Sequence, residues 1–126
     1  MTKLVKPTES ELDILSILWE KESATVKEVH ELILSYKKIG YTTTLKLMQI
    51  MNEKGLVSRD TQSKKHSYTP LIKKEKLQAM YLSKMIQTLF GGSSTELVMQ
   101  ALEKHPPANQ DLLSIASLVK QLQKNN

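Results

Sequence analysis

Apolar residues recur at helical spacing along most of the chain, and only one short stretch departs from that period. After Pro7, Leu12, Ile14, Leu15, Leu18 and Trp19 fall on one side of a 3.6-residue wheel, which predicts a first helix ending near Glu22. Thr8 and Glu11 open it with a capping box, each side chain satisfying an amide that the first turn leaves unpaired. Thr25 and Glu28 repeat the signature, and Val29, Leu32, Ile33 and Tyr36 supply the buried stripe of a second helix. Gly40 interrupts the pattern. A third helix is expected over 42–54, with Gly55 as its left-handed stop.

The texture changes after Gly55. Residues 56–59 and 66–69 are short β-prone runs separated by a polar, turn-forming linker, which reads as a hairpin, with Pro70 at a tolerable edge position. Helical spacing then returns over 73–90, where Leu77, Met80, Tyr81, Leu82, Met85, Ile86, Leu89 and Phe90 make a stripe too wide to rest on a single neighbour. Gly91-Gly92 ends that helix, and Ser93 with Glu96 opens the next through a third capping box. Leu97, Val98, Ala101 and Leu102 line its face as far as Pro106-Pro107. Asn109 is placed to cap a last helix carrying Leu112, Ile115, Ala116, Val119 and Leu122. The fold class is therefore mostly α with a small β-hairpin: three helices, a hairpin, three more helices. The first four elements have the outline of a winged helix-turn-helix, an analogy of arrangement that does not by itself fix function.

Charge sharpens this picture. The net charge of +5 is unevenly spread, with a balance of −3 over 1–35, +7 over 36–76 and +1 over 77–126. The third helix and the hairpin thus form a basic segment in an otherwise near-neutral chain, a feature suited to phosphate. No apolar run approaches the length of a membrane span, and residues 1–20 show no basic region followed by an uninterrupted apolar stretch. Cysteine is absent, which excludes disulfides and thiolate metal sites and fits a cytoplasmic location.

The third helix opens with three β-branched threonines, an unusual choice because they lose rotamer freedom in a helix. On a wheel, Leu45, Leu47, Met48 and Met51 face the core. Thr42, Lys46, Gln49 and Glu53 cluster within about 60° on the other side, with Thr43 and Ile50 on the flank. A helix that enters the major groove N-terminus first needs a slim first turn. Threonine there offers a hydroxyl to phosphate and a methyl to thymine, Lys46 reaches guanine acceptors, Gln49 reaches adenine, and Ile50 meets a thymine methyl. Arg59, Lys64, Lys65 and His66 would line the wing against the sugar–phosphate backbone. A plainer reading has Thr42, Thr43 and Thr44 capping the helix while Lys46 and Gln49 face water.

Catalysis has little to stand on. His30, His66 and His105 are scattered; His30-Glu31 begins a zinc-binding string, but Leu34 stands where the second histidine is needed. Neither a phosphate-binding loop nor a nucleophile elbow occurs, and no cofactor or metal is implied. The rival to DNA binding is a winged helix that binds protein through Ile50 and its apolar neighbours.

Four stretches carry a family resemblance: PTESELDILSILWEKESATVKEVHE (7–31), GYTTTLKLMQIMNEKGLVSRD (40–60), KKHSYTPLI (64–72) and LFGGSSTELVMQAL (89–102). They resemble the BlaI/MecI family of bacterial penicillinase and methicillin-resistance repressors. The resemblance implies a winged-helix DNA-binding domain over 1–72 and a helical dimerisation domain over 73–126. It further implies a homodimer that represses transcription from a palindromic operator. The dimer interface would draw on Leu77, Tyr81, Met85, Ile86, Leu89, Phe90, Leu97, Val98, Leu102, Ile115, Val119 and Leu122. In antibiotic-responsive members a membrane sensor protease triggers cleavage at an Asn-Phe bond; here Gln100-Ala101 stands at that place, a departure from the pattern. Copper-responsive relatives carry C-terminal cysteine pairs, which this chain lacks.

Overall fold

The computed structural model describes residues 6–62 and 64–126. Its elements are α1 (Glu9–Lys21), α2 (Val26–Ile33), α3 (Tyr41–Lys54), β1 (Val57–Arg59), β2 (Tyr68–Pro70), α4 (Lys74–Thr88), α5 (Ser94–Lys104) and α6 (Asn109–Lys124). The chain forms two compact units, the first ending at Gln78 and the second beginning at Ala79.

The first unit is built on two closed capping boxes. Thr8 N–H donates to Glu11 Oε1 at 2.8 Å and Glu11 N–H donates to Thr8 Oγ1 at 3.2 Å; Thr25 and Glu28 repeat the arrangement at 2.9 and 3.2 Å. Ile14, Leu15 and Leu18 of α1, Val29 and Ile33 of α2, and Met48 and Met51 of α3 converge as a core with almost no exposure. Leu56, Val57 and Tyr68 extend it under the hairpin. The strands are antiparallel, with Ser58 opposite Thr69 and Arg59 opposite Tyr68. On its other side Tyr68 exchanges two backbone hydrogen bonds with Ala24, 2.8 and 3.0 Å, so the α1–α2 connection acts as a one-residue third strand. Trp19 Nε1 donates to the Ile72 carbonyl at 2.9 Å and ties α1 to the chain leaving the hairpin.

Four expectations about helix ends and caps need correction. α2 stops at Ile33, and Val26 joins Val29 and Ile33 in its buried stripe. Leu32, about 60° off that stripe, is 40% exposed, and Tyr36 lies beyond the helix end. α3 begins at Tyr41 with Gly40 as its cap, so none of the threonines caps it. At α5 only the hydroxyl half of the box forms, because Ser93 N–H already donates to the Phe90 carbonyl at 2.8 Å. Asn109 lies inside α6; the cap position falls to Ala108 in an exposed first turn, where water can satisfy the amides.

The second unit is unlike the first. None of residues 79–126 is buried, although α5 and α6 carry apolar stripes. Leu89 is 76% exposed and Leu113 73%. Positive φ at Gly91 and Gly92 turns the chain out of α4 and lets Gly92 N–H reach the Ile86 carbonyl at 2.8 Å. Leu77, expected at a subunit interface, is instead only 2% exposed in the single chain and therefore packs within it. Among the described residues no helix is long and apolar enough to cross a membrane.

Among the described residues the first unit holds two ion pairs, and the more buried of them joins α1 to α3. Glu11 is buried, and its two carboxylate oxygens lie 2.9 and 3.0 Å from Lys54 Nζ in the last turn of α3. Burial by itself raises the Glu11 pKa, but the Thr8 N–H and the Lys54 ammonium outweigh it and hold the carboxyl below its ordinary value of 4.5. The pair's contribution is therefore complete above the unfolded-state value and is lost as pH falls through the lower folded one. Lys54→Met should cost roughly 2 kcal/mol at neutral pH by leaving a buried charge unpaired. Urea unfolding from pH 7 to pH 3 checks this: the wild-type midpoint should fall in the acid range, and the gap to the variant should narrow there.

Candidate nucleic-acid interface

The surface that α3 presents follows from what it buries. Thr44, Met48 and Met51 point inward, four and three residues apart, with Thr44 at the centre of the stripe in place of the expected Leu45 and Leu47, which are half-buried on its flanks. Opposite this stripe the helix exposes Thr42, Lys46, Gln49 and Glu53, with Thr43 exposed and Ile50 half-buried on one edge. Gly55, at φ +82°, ends the helix by letting Leu56 N–H bond the Met51 carbonyl at 3.0 Å. The chain thus enters β1 directly, which keeps the wing beside α3.

Between the N-terminal end of α2, α3 and the wing lies an open groove of about 630 Å³. Gln49 of α3 and Arg59, Lys65 and His66 of the wing line it together, so four of the residues singled out from the sequence share one surface. Arg59 and His66 Nδ1 are also in direct contact, and His66 holds a positive φ of 48° at the wing's return. Lys64 is exposed beside Lys65. Thr43 lies elsewhere, in a small crevice with Ser10, Asp13, Ile33 and Lys37, and Thr42 and Lys46 stand clear of both hollows.

Several residues of this surface carry no signal that spacing alone reveals. Tyr41, the first residue of α3, is 48% exposed and lines the groove with Lys27. Its ring meets His30 edge-on, with centroids 5.4 Å apart and planes at 84°. His30 Nδ1 in turn lies 2.9 Å from Thr44 Oγ1, joining α2 to α3 across the turn. The inward place of Thr44 could have been read from its four-residue spacing to Met48, had a hydroxyl been admitted to the core stripe. Glu28 and Glu31 bring acid to the α2 wall of the groove. Bonds from the Thr25 N–H and hydroxyl hold the Glu28 carboxyl below its ordinary pKa, and Lys21 and Lys65 add to that effect.

The arrangement is chemically suited to polyanion binding: a groove-sized helix, three wing cations and a helix start without a side-chain cap, whose first amides can meet phosphate. Among the described residues no group of three or more His, Cys, Asp or Glu side chains could hold a metal ion.

Known proteins share both the sequence and the fold. The profile of the penicillinase repressor family matches residues 7–121. The transcriptional regulator BlaI of Mycobacterium tuberculosis is 26% identical over 106 residues, covering 82% of this chain and 77% of that protein. A penicillinase repressor of Staphylococcus aureus is 21% identical over 122 residues, covering 97% of each. Among solved structures, the DNA-binding domain of the repressor BlaI superposes with a TM-score of 0.52 at 20% identity, covering 59% of this chain and 90% of that one. The monomeric form of Bacillus licheniformis BlaI in complex with the blaP half-operator gives 0.52 at 20% identity, covering 60% and 92%. The three helices and hairpin of the first unit are therefore a winged helix, and the chain belongs to the penicillinase repressor family.

Proposed function

We propose that this chain is a sequence-specific transcriptional repressor that acts in the cytoplasm as a homodimer on a two-fold-symmetric operator, without catalytic activity or cofactor. The carrying observation is that Gln49 of α3 and Arg59, Lys65 and His66 of the wing line one groove, beside the exposed Thr42 and Lys46. In this reading α3 lies in the major groove. Thr42 and Thr43 meet phosphate or a thymine methyl, Lys46 reads guanine, Gln49 reads adenine, and Ile50 packs on thymine. The wing cations bind backbone and supply affinity without sequence choice.

The homodimer reading is supported by the second unit. Its apolar residues, among them Met85, Leu89, Val98, Val119 and Leu122, are exposed in the single chain, and a helical unit without a buried residue gains its stability from a partner. Tyr81, Ile86, Phe90, Leu97, Leu102 and Ile115, all half-buried, would complete that interface. A closed symmetric pair presents two α3 helices to two half-sites. Release by a membrane sensor protease would act at Gln100-Ala101. That bond lies inside α5, so cleavage there requires the helix to open locally.

Three measurements test this reading. Binding to a duplex selected from random DNA should weaken with salt, with log K falling by about 0.9 per phosphate neutralised for each tenfold rise in salt. Gln49→Ala should relax preference at one base pair by about 1–3 kcal/mol, whereas Lys64→Ala should weaken selected and scrambled duplexes alike and flatten the salt slope by about 0.9. If both variants behave identically on both duplexes, or binding is insensitive to salt, the surface meets protein instead. Sedimentation equilibrium should give twice the chain mass for the wild type, and Leu89→Asp should shift it toward the monomer.

A further inference from the structure

Two of the three threonines that open α3 are exposed; the third, Thr44, is fully buried and bonded to His30. A valine would fill nearly the same space, so packing alone does not call for a hydroxyl there. The remaining inward residues of α3 are Met48 and Met51, flexible side chains that tolerate small rotations of the helix. A hydrogen bond is directional and does not. His30 is itself held in place, half-buried, with Tyr41 edge-on to its ring.

We propose that His30 is a positioning residue for DNA reading. Through its 2.9 Å bond to Thr44 it fixes the rotation of α3, so that the pair sets sequence selectivity while leaving general DNA affinity to the wing. The inference rests on the function proposed above. Its geometric basis is simple: a 20° turn of a helix moves a side-chain tip at about 6 Å radius by roughly 2 Å. That displacement breaks a base-edge hydrogen bond at Lys46 or Gln49, whereas a flexible cation on a phosphate follows it. His30 need not touch DNA for this effect.

The test uses the full chain and a duplex selected by the wild type from random DNA, with a scrambled duplex as reference at fixed salt. Thr44→Val should lower the ratio of selected to scrambled affinity about tenfold, the scale of one base-pair contact, while scrambled binding stays within about twofold. Thr44→Ser, which keeps the hydroxyl, should retain the ratio. His30→Ala should match Thr44→Val, and the double variant should be no worse than the worse single, because both remove one interaction. Wild-type ratios in Thr44→Val and His30→Ala, or losses that multiply in the double variant, would overturn the inference. Should Thr44→Val fail to fold by circular dichroism, His30→Ala and Thr44→Ser decide the matter. A wild type that selects no site overturns the parent reading and this one together; a wild type that selects while both variants keep its ratio overturns this one alone.

Discussion

Side chains of two other helices bond α3 at two points ten residues apart. Near its start Thr44 is bonded to His30 of α2, and in its last turn Lys54 reaches the buried carboxylate of Glu11 on α1. The face that α3 shows to its surroundings is consistent with these two anchors. With Thr44, Met48 and Met51 turned inward, Thr42, Lys46 and Gln49 must face out. Turning the helix by one residue position, about 100°, would bring Leu45, Gln49 and Asn52 inward in place of Thr44, Met48 and Met51. Glu11 serves twice, closing the capping box of α1 and holding the end of α3, so helix start and helix packing depend on one side chain. The wing is fixed by a different device: Tyr68 pairs through its backbone with Ala24 on one side and with Arg59 on the other.

The two units divide the physical work. The first carries a closed core and the polar, cationic surface; the second carries apolar helices with no buried residue of their own. This open apolar surface is what the proposed two-fold pairing would cover. In the proposed dimer, weak single-site contacts would act twice on a symmetric duplex, the second being intramolecular once the first is made.

Much of this was legible in the order of residues. The six helices, the hairpin and the two closed capping boxes follow from periodicity and cap chemistry, which act over three or four residues. So does the outward set Thr42, Lys46 and Gln49, because the wheel depends only on spacing. Tertiary effects were not legible. The spacing of Thr44 to Met48 allows an inward place, but the partner that satisfies its buried hydroxyl is a histidine fourteen positions away. The capping box at Ser93 was over-read because the Ser93 amide is taken by a carbonyl of the preceding turn. The Ala24–Tyr68 pairing and the Lys54–Glu11 bond join segments distant in sequence, and no local pattern announces either. Leu77 has the spacing of an interface residue, yet it closes the chain's own core.

In the function proposed above, the outer face of α3 and the wing form one DNA-reading surface, held in register by the inward stripe. Titrating a selected duplex into isotope-labelled full-length protein and following backbone amide shifts by NMR tests it most directly. Large changes are expected at Thr42, Thr43, Lys46, Gln49, Arg59, Lys64 and Lys65, with small ones on the solvent face of α1. Changes confined to α5 and α6 would contradict it.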